Sequence, residues 1–142
     1  MRTRSSRRLR SSPYAYLDSS ALAKFVVAEP ETAALERDAA GRRDLLSSRL
    51  GATELRRAVR RAGHRRVLQQ VEGVLDSVVL VELSPVILDR AGHLPPSLLR
   101  TLDAIHLATA LSLNLSECDF ITYDDRLADA AAASGLHVLQ PR

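Results

Sequence analysis

The chain has 142 residues, the length of one domain with a core of useful size, and its 46% hydrophobic and 26% charged residues give it a globular balance. No apolar run approaches the roughly 20 residues that cross a bilayer, and a single cysteine, Cys118, excludes an internal disulfide and leaves a thiolate zinc site without ligands, so a cytoplasmic setting is expected. The net charge of +3 comes almost wholly from arginine, Lys24 being the sole lysine, and arginine's planar fork suits phosphate, although a bias toward Arg, Leu and Ala explains the excess equally well.

Residues 1–12 are basic and polar with almost no apolar content, which predicts a disordered arm ahead of a domain spanning 13–142. The arm has no apolar centre of a secretory signal. From Ala15 a short apolar strand runs through Leu17 into Asp18 and then directly into a helix over Ala21 to Val27, closed at Glu29-Pro30. In an open α/β sheet the crevice beyond the strand ends collects ligand chemistry, so an Asp there is placed to hold a cation; an isolated Asp at such a spot is more often a helix cap. Pro30 suits the first turn of a second helix with Gly41 as its stop, and Asp44 to Ser47 reads as a short strand.

Ser48 to Ala62 is helical by its repeat of Leu55, Ala58, Val59 and Ala62. Glu54 lies at the edge of that stripe, while Arg49, Arg56 and Arg60 line the other flank with Arg57 and Arg61 beside them. A row of this kind is ordinarily a solvated helix face, but next to an acidic site it can grip a phosphate backbone. Gly63 and His64 break the pattern before an amphipathic helix marked by Val67, Leu68, Val71, Val74 and Leu75. Val78 to Leu83 is the strongest strand signal and is expected to be covered on both faces of a parallel sheet. Ser84-Pro85 then opens a helix through Ala91, and Gly92 to Pro96 is a loop.

Arg100 to Ala110 begins a strongly apolar helix with Asp103 in its first turn, where the helix dipole favours negative charge. His106 on its buried face reads as a hydrogen-bonded core histidine, since no second His stands at ligand spacing. Asp119 to Tyr123 forms another strand, followed at once by Asp124, Asp125 and a helix over Arg126 to Ala133 stopped by Gly135; Leu136 to Leu139 is a last strand. The alternation predicts an α/β fold, a parallel sheet of four to five strands between helical layers.

Such a sheet puts Asp18 and Asp124 at one edge, and Asp103 and Glu54 near the starts of helices reach the same edge. Crowded carboxylates repel and raise one another's pKa values, and a divalent cation removes that penalty. Hard oxygen donors without a Cys or a His pair favour Mg²⁺ or Mn²⁺ over Zn²⁺.

Four stretches, in this order and spacing, carry a family likeness: Leu17-Asp18-Ser19-Ser20-Ala21-Leu22, Thr53-Glu54-Leu55-Arg56-Arg57-Ala58, Leu102-Asp103-Ala104-Ile105-His106-Leu107-Ala108-Thr109-Ala110, and Thr122-Tyr123-Asp124. From about Tyr14 to Gln140 the chain resembles PIN-domain ribonucleases of the VapC type, toxins of bacterial toxin–antitoxin pairs. The resemblance implies a three-layer α/β/α PIN domain and Mg²⁺-dependent hydrolysis of RNA, transfer RNA being the substrate the family suggests. It makes Asp18, Glu54, Asp103 and Asp124 the catalytic and metal-binding quartet, with Ser20 and Thr122 as supporting hydroxyls. Arg56, Arg60 and Arg100 become residues for the RNA backbone. It further implies a cognate antitoxin that covers the acidic cleft, and a homodimer. Rival classes fit less well. A receiver-type phospho-accepting regulator needs a lysine late in the sheet, whereas Lys24 lies in the first helix; a two-aspartate phosphatase needs Asp where Ser20 stands. A non-catalytic basic RNA-binding module of the same fold has no use for the intact quartet.

Overall fold

The structure is a computed structural model that describes residues 12–63, 65–115 and 117–142. Among them five strands alternate with seven helices: β1 (Tyr14–Leu17), α1 (Ser19–Lys24), α2 (Thr32–Ala40), β2 (Asp44–Ser48), α3 (Arg49–Ala62), α4 (Arg65–Asp76), β3 (Val78–Val81), α5 (Pro85–His93), α6 (Thr101–Ser112), β4 (Cys118–Ile121), α7 (Asp125–Ala133) and β5 (His137–Leu139). Every strand pair is parallel, in the order β3-β2-β1-β4-β5. The expected arm, residues 1–12, lies outside the described residues except for Ser12.

Side-chain alternation along β1 divides the core into two. Ala15 and Leu17 face one layer, where they pack with Leu22 of α1, Leu35 of α2, Leu55 and Val59 of α3, and Val71 and Leu75 of α4. Tyr16 faces the other, with Leu107 of α6, Phe120 of β4 and Leu127 and Ala131 of α7. A smaller cluster joins Ile87 and Ala91 of α5 to Ala104 and Ala108 of α6. The result is the three-layer arrangement with a parallel central sheet.

Helix ends follow local chemistry. Ser84 accepts a hydrogen bond from the Ile87 N–H with Pro85 in the first turn, and Gly63 ends α3 in the left-handed region at φ 72°, where a Cβ is strained. The first helix stops at Lys24, short of the expected Val27, because Thr32 Oγ1 takes the Lys24 carbonyl at 2.9 Å while Lys24 Nζ reaches Glu29 and Glu31 at 2.8 and 3.1 Å. One sequence expectation fails outright. The run from Val78 is not a strand covered on both faces: β3 ends at Val81, lies at the sheet's edge paired only with β2, and leaves Val79 50% exposed. An apolar run records hydrophobicity and says nothing about position in the sheet.

The strand order reverses at β1. The chain moves outward from β1 to β2 and β3, then returns to lay β4 on the other side of β1. The crevice at such a reversal, beyond the carboxyl ends of the two strands, is where open α/β sheets bind ligands. Leu17 pairs with Ile121 at that edge, so Asp18 and Thr122 emerge side by side.

Candidate active site

Asp18 leaves β1 as the N-cap of α1 and is 2% exposed. Its Oδ1 accepts from Ser20 Oγ at 2.7 Å and from the Ala21 N–H at 3.0 Å; its Oδ2 accepts from Thr122 Oγ1 at 2.6 Å. Capping and ligation are therefore not alternatives here, since a carboxylate has about four acceptor positions and three donors leave one open. Burial pushes the Asp18 carboxyl above the ordinary range, and the hydroxyls of Ser20 and Thr122 only partly offset it. Ser20 and Thr122 do more than support Asp18. Ser20 Oγ accepts the Tyr123 N–H at 3.0 Å and Thr122 Oγ1, which donates to Asp18, accepts the Asp124 N–H at 3.1 Å, so the two hydroxyls tie the segment after β4 to Asp18 and the first turn of α1.

Asp124 caps α7, its Oδ1 accepting the Arg126 and Leu127 N–H groups at 3.0 Å each. Asp103 sits in the first turn of α6. Its carboxyl is pushed up by burial first, then by the negative charges of Asp124 and Asp18, with Arg100 pulling the other way. Residues from the start, middle and end of the chain thus share one field. Glu54 of α3 is handled differently: its Oε1 stands 2.6 Å from His106 Nε2, and the opposite ring nitrogen, Nδ1, stands 2.7 Å from the Tyr16 hydroxyl. His106 is 1% exposed and held at both nitrogens, as a core histidine should be.

Hard oxygen donors in mutual repulsion suit a small divalent cation. Among the described residues no group of three His, Cys, Asp or Glu stands close enough to hold an ion by itself. This is compatible with Mg²⁺, which is commonly held by one or two carboxylates and otherwise by water and substrate oxygens.

Two of the three arginines expected at the RNA backbone have distinct surroundings. Arg56 is spent on Glu72 of α4, with Nε and Nη2 at 2.8 and 2.9 Å from its two oxygens. Arg100 stands exposed immediately before α6, with its charge felt at Asp103. Sequence reasoning missed the reach of Tyr16, whose partner lies 90 positions away, and the clamp of Lys24, which also stacks over the Tyr123 ring at 4.6 Å.

The PIN domain family model matches residues 15–133. The chain belongs to the PIN-domain family. It is of the VapC type: it is 44% identical over 133 residues to Ribonuclease VapC46 of Mycobacterium tuberculosis (strain ATCC 25618 / H37Rv), an alignment covering 89% of this chain and 96% of that one. Solved structures of similar fold include the following two. Mycobacterium tuberculosis VapC20, described as a Sarcin-Ricin loop cleaving toxin, superposes with TM-score 0.69 at 13% identity, over 89% of this chain and 99% of that chain. VapBC2 from Rickettsia felis, bound to a promoter DNA fragment, gives TM-score 0.66 at 13% identity, over 91% and 99%. Asp18, Glu54, Asp103 and Asp124, the quartet expected from the family likeness, lie respectively at the N-cap of α1, on α3, on α6 and at the N-cap of α7 of this PIN domain. The charges of Asp18 and Asp124 push the Asp103 carboxyl up, while Glu54 has its own partner in His106.

Proposed function

We propose that this PIN domain is the ribonuclease toxin of a toxin–antitoxin pair and hydrolyses phosphodiester bonds in RNA with Mg²⁺ at the pocket of Asp18, Asp103 and Asp124, one or two of these carboxylates as direct ligands and water or substrate oxygens as the rest. The observation that carries the reading is the meeting of Asp18 and Asp124 at the carboxyl ends of the paired strands β1 and β4, joined through the Thr122 hydroxyl, with Asp103 of α6 near enough for both charges to push its carboxyl up. Like charges near one another disfavour the ionised carboxylates, a penalty that a bound cation removes, and carboxyls perturbed in this way in a crevice mark a functional site. The ribonuclease name of a relative at 44% identity supports the same chemistry.

When bound, Mg²⁺ supplies positive charge against the scissile phosphate and acidifies the attacking water. The chain's own part is orientation. Asp18 is pinned by three donors, so its remaining acceptor position is fixed before substrate arrives. Asp103 and Asp124 start helices, where backbone N–H groups and the dipole favour negative charge and the approach of phosphate. Glu54, held by His106, is the side chain placed to orient a water. Hydrolysis by water leaves a 5′-phosphate and a 3′-hydroxyl and makes no use of the 2′-hydroxyl.

The partner proposed is an antitoxin. A shallow apolar groove of about 70 Å³ lined by Val27, Leu55, Ala58, Val59 and Val67, with Val27 42% exposed, suits an apolar residue of a docking helix. A homodimer is proposed with it, checked by sedimentation. Among the described residues no helix is long and apolar enough to cross a membrane.

The test is digestion of total RNA and of transfer RNA by purified protein with Mg²⁺, with Mn²⁺ and with chelator, followed by sequencing of the new 5′ ends. Cleavage that needs the metal and is lost in Asp18→Asn supports the assignment. Metal-independent cleavage, or binding without cleavage, overturns it; the latter outcome leaves a basic RNA-binding module.

A further inference from the structure

His106 is three residues after Asp103 and so on nearly the same face of α6, yet its ring turns into the core. Its two hydrogen bonds define which atom gives each proton. A carboxylate only accepts, so Nε2 carries the hydrogen shared with Glu54 Oε1 at 2.6 Å. When the ring carries that one hydrogen, Nδ1 is the acceptor and the Tyr16 hydroxyl, 2.7 Å away, is the donor. Tyr16 is fully buried and keeps its proton, because burial first and the Asp18 charge second push its hydroxyl far above the ordinary value. The slot is tight. A Cβ on Gly51 of α3 would stand 3.3 Å from His106 Cε1 and 2.6 Å from Ser47 Oγ, so glycine lets the helix bearing Glu54 approach the ring. Glu54 itself keeps 21% of its side chain exposed to solvent.

We propose that His106 is a positioning residue of the site: with Tyr16 behind it, it braces the Glu54 carboxylate of α3 against the strand that ends in Asp18. The inference rests on the nuclease reading and adds a route by which Glu54 works. Glu54 sits on a helix that no hydrogen bond from Asp18, Ser20, Thr122 or Asp124 reaches, and the brace is what relates it to them. His106 does not touch substrate in this scheme. Its contribution passes entirely through Glu54, and Tyr16 contributes by holding the tautomer.

The experiment is a double-mutant cycle on RNA cleavage in Mg²⁺, with kcat and KM separated and folding checked by thermal unfolding. His106→Leu is expected to lower kcat by about 10- to 100-fold with KM little changed, the loss usual when a side chain that orients a ligand is removed. His106→Gln, which can offer an amide N–H to Glu54, should recover part of the rate. In a Glu54→Gln background His106→Leu should add less than about 2-fold, because the group it positions is already gone. Equal losses in both backgrounds, or wild-type kcat in a folded His106→Leu, overturn the brace. If His106→Leu does not fold, Tyr16→Phe takes its place: a smaller kcat loss that disappears in Glu54→Gln supports the brace, and an additive loss or none refutes it. Asp18→Asn run in parallel keeps the two readings apart. If it cleaves like wild type the nuclease assignment itself falls, whereas its loss of activity beside an unaffected His106→Leu removes the brace alone.

Discussion

The hydroxyl of Thr122 donates to Asp18 Oδ2 at 2.6 Å, although 104 positions separate the two residues in the chain. The bond exists because β4 returns to pair with β1, and it makes the pocket depend on sheet topology rather than on any local motif. Thr122→Val keeps the shape and removes the hydroxyl. Asp18 Oδ2 is then left without its buried donor and the Asp124 N–H without its acceptor. The expected result is a loss of about 1–3 kcal/mol of stability for a buried group left unsatisfied, together with slower cleavage. Denaturant unfolding and initial rates check both; an unchanged midpoint would show that water replaces the hydroxyl at no cost.

Asp103→Asn separates activity from stability. The substitution removes a charge whose carboxyl is disfavoured by burial and by Asp124 and Asp18, so folding has nothing to lose from its absence. Cleavage should fall by about 10²- to 10³-fold, the equivalent of the several kcal/mol that metal-assisted charge neutralisation provides. A thermal scan without divalent ions should give a midpoint equal to or above wild type. A lower midpoint with intact cleavage would mean that Asp103 is a structural dipole partner of α6 and no more.

Much of the fold was legible in the chain because helical repeats, caps and strand–Asp–helix junctions are local signals. Ser84-Pro85 and Gly63 act as their chemistry dictates. The edge position of β3 was not legible, since Val78 to Val81 looks the same in a central strand and a peripheral one. Among the acids, the pattern brought Asp18 and Asp124 to one edge, but it carried no sign that Glu54 is held by an imidazole instead of by the pocket. Nor did it show that Asp119, in the same strand segment as the site residues, belongs to a different assembly at the opposite edge of the sheet. That assembly joins residues 77 positions apart, beyond any motif.

This second assembly predicts a pH dependence. Arg42 has a fully buried side chain that pairs with Asp119 and Asp38 and donates to the Ser12 carbonyl at 2.7 Å; His137 Nδ1 lies 2.8 Å from Asp119 Oδ1. Burial alone would raise the Asp119 carboxyl, but Arg42, His137 and the Ser12 N–H outweigh it and hold the carboxyl below the ordinary range. A depressed folded pKa gives stability that is complete above the unfolded value of about 3.9 and is lost as pH falls through the folded value. Asp18 and Asp103 have the opposite sign. Their raised carboxyls bind protons more tightly in the folded state, so without divalent ions stability should rise as pH falls from their raised values toward about 4. The melting temperature should therefore pass through a maximum in mild acid and drop below it, and Asp119→Asn should flatten only the acid limb. Arg42→Ala, which strands a buried carboxylate, should cost about 3–5 kcal/mol at neutral pH. A profile that falls steadily from neutrality would contradict the raised pair.

The arginines should divide by what already holds them. Arg56 has both ends of its fork on Glu72, so a phosphate must displace a formed, if exposed, pair before using it. Arg60 takes part in no ion pair among the described residues, and Arg100 borders the acid pocket, its charge acting on Asp103. Removing one arginine that neutralises a phosphate should reduce the slope of log K against log salt by about 0.7 for single-stranded RNA. Anisotropy titrations of RNA in metal-free buffer should therefore show that slope change for Arg60→Ala and Arg100→Ala and a smaller one for Arg56→Ala, because truncating Arg56 frees Glu72 to repel the strand without taking away a phosphate's existing partner. The added repulsion should weaken affinity at low salt more than it alters the count of released ions. Identical slopes in all three variants and wild type would place the RNA path elsewhere on the surface, and an Arg56 effect exceeding that of Arg100 would show that RNA binding breaks the Arg56–Glu72 pair.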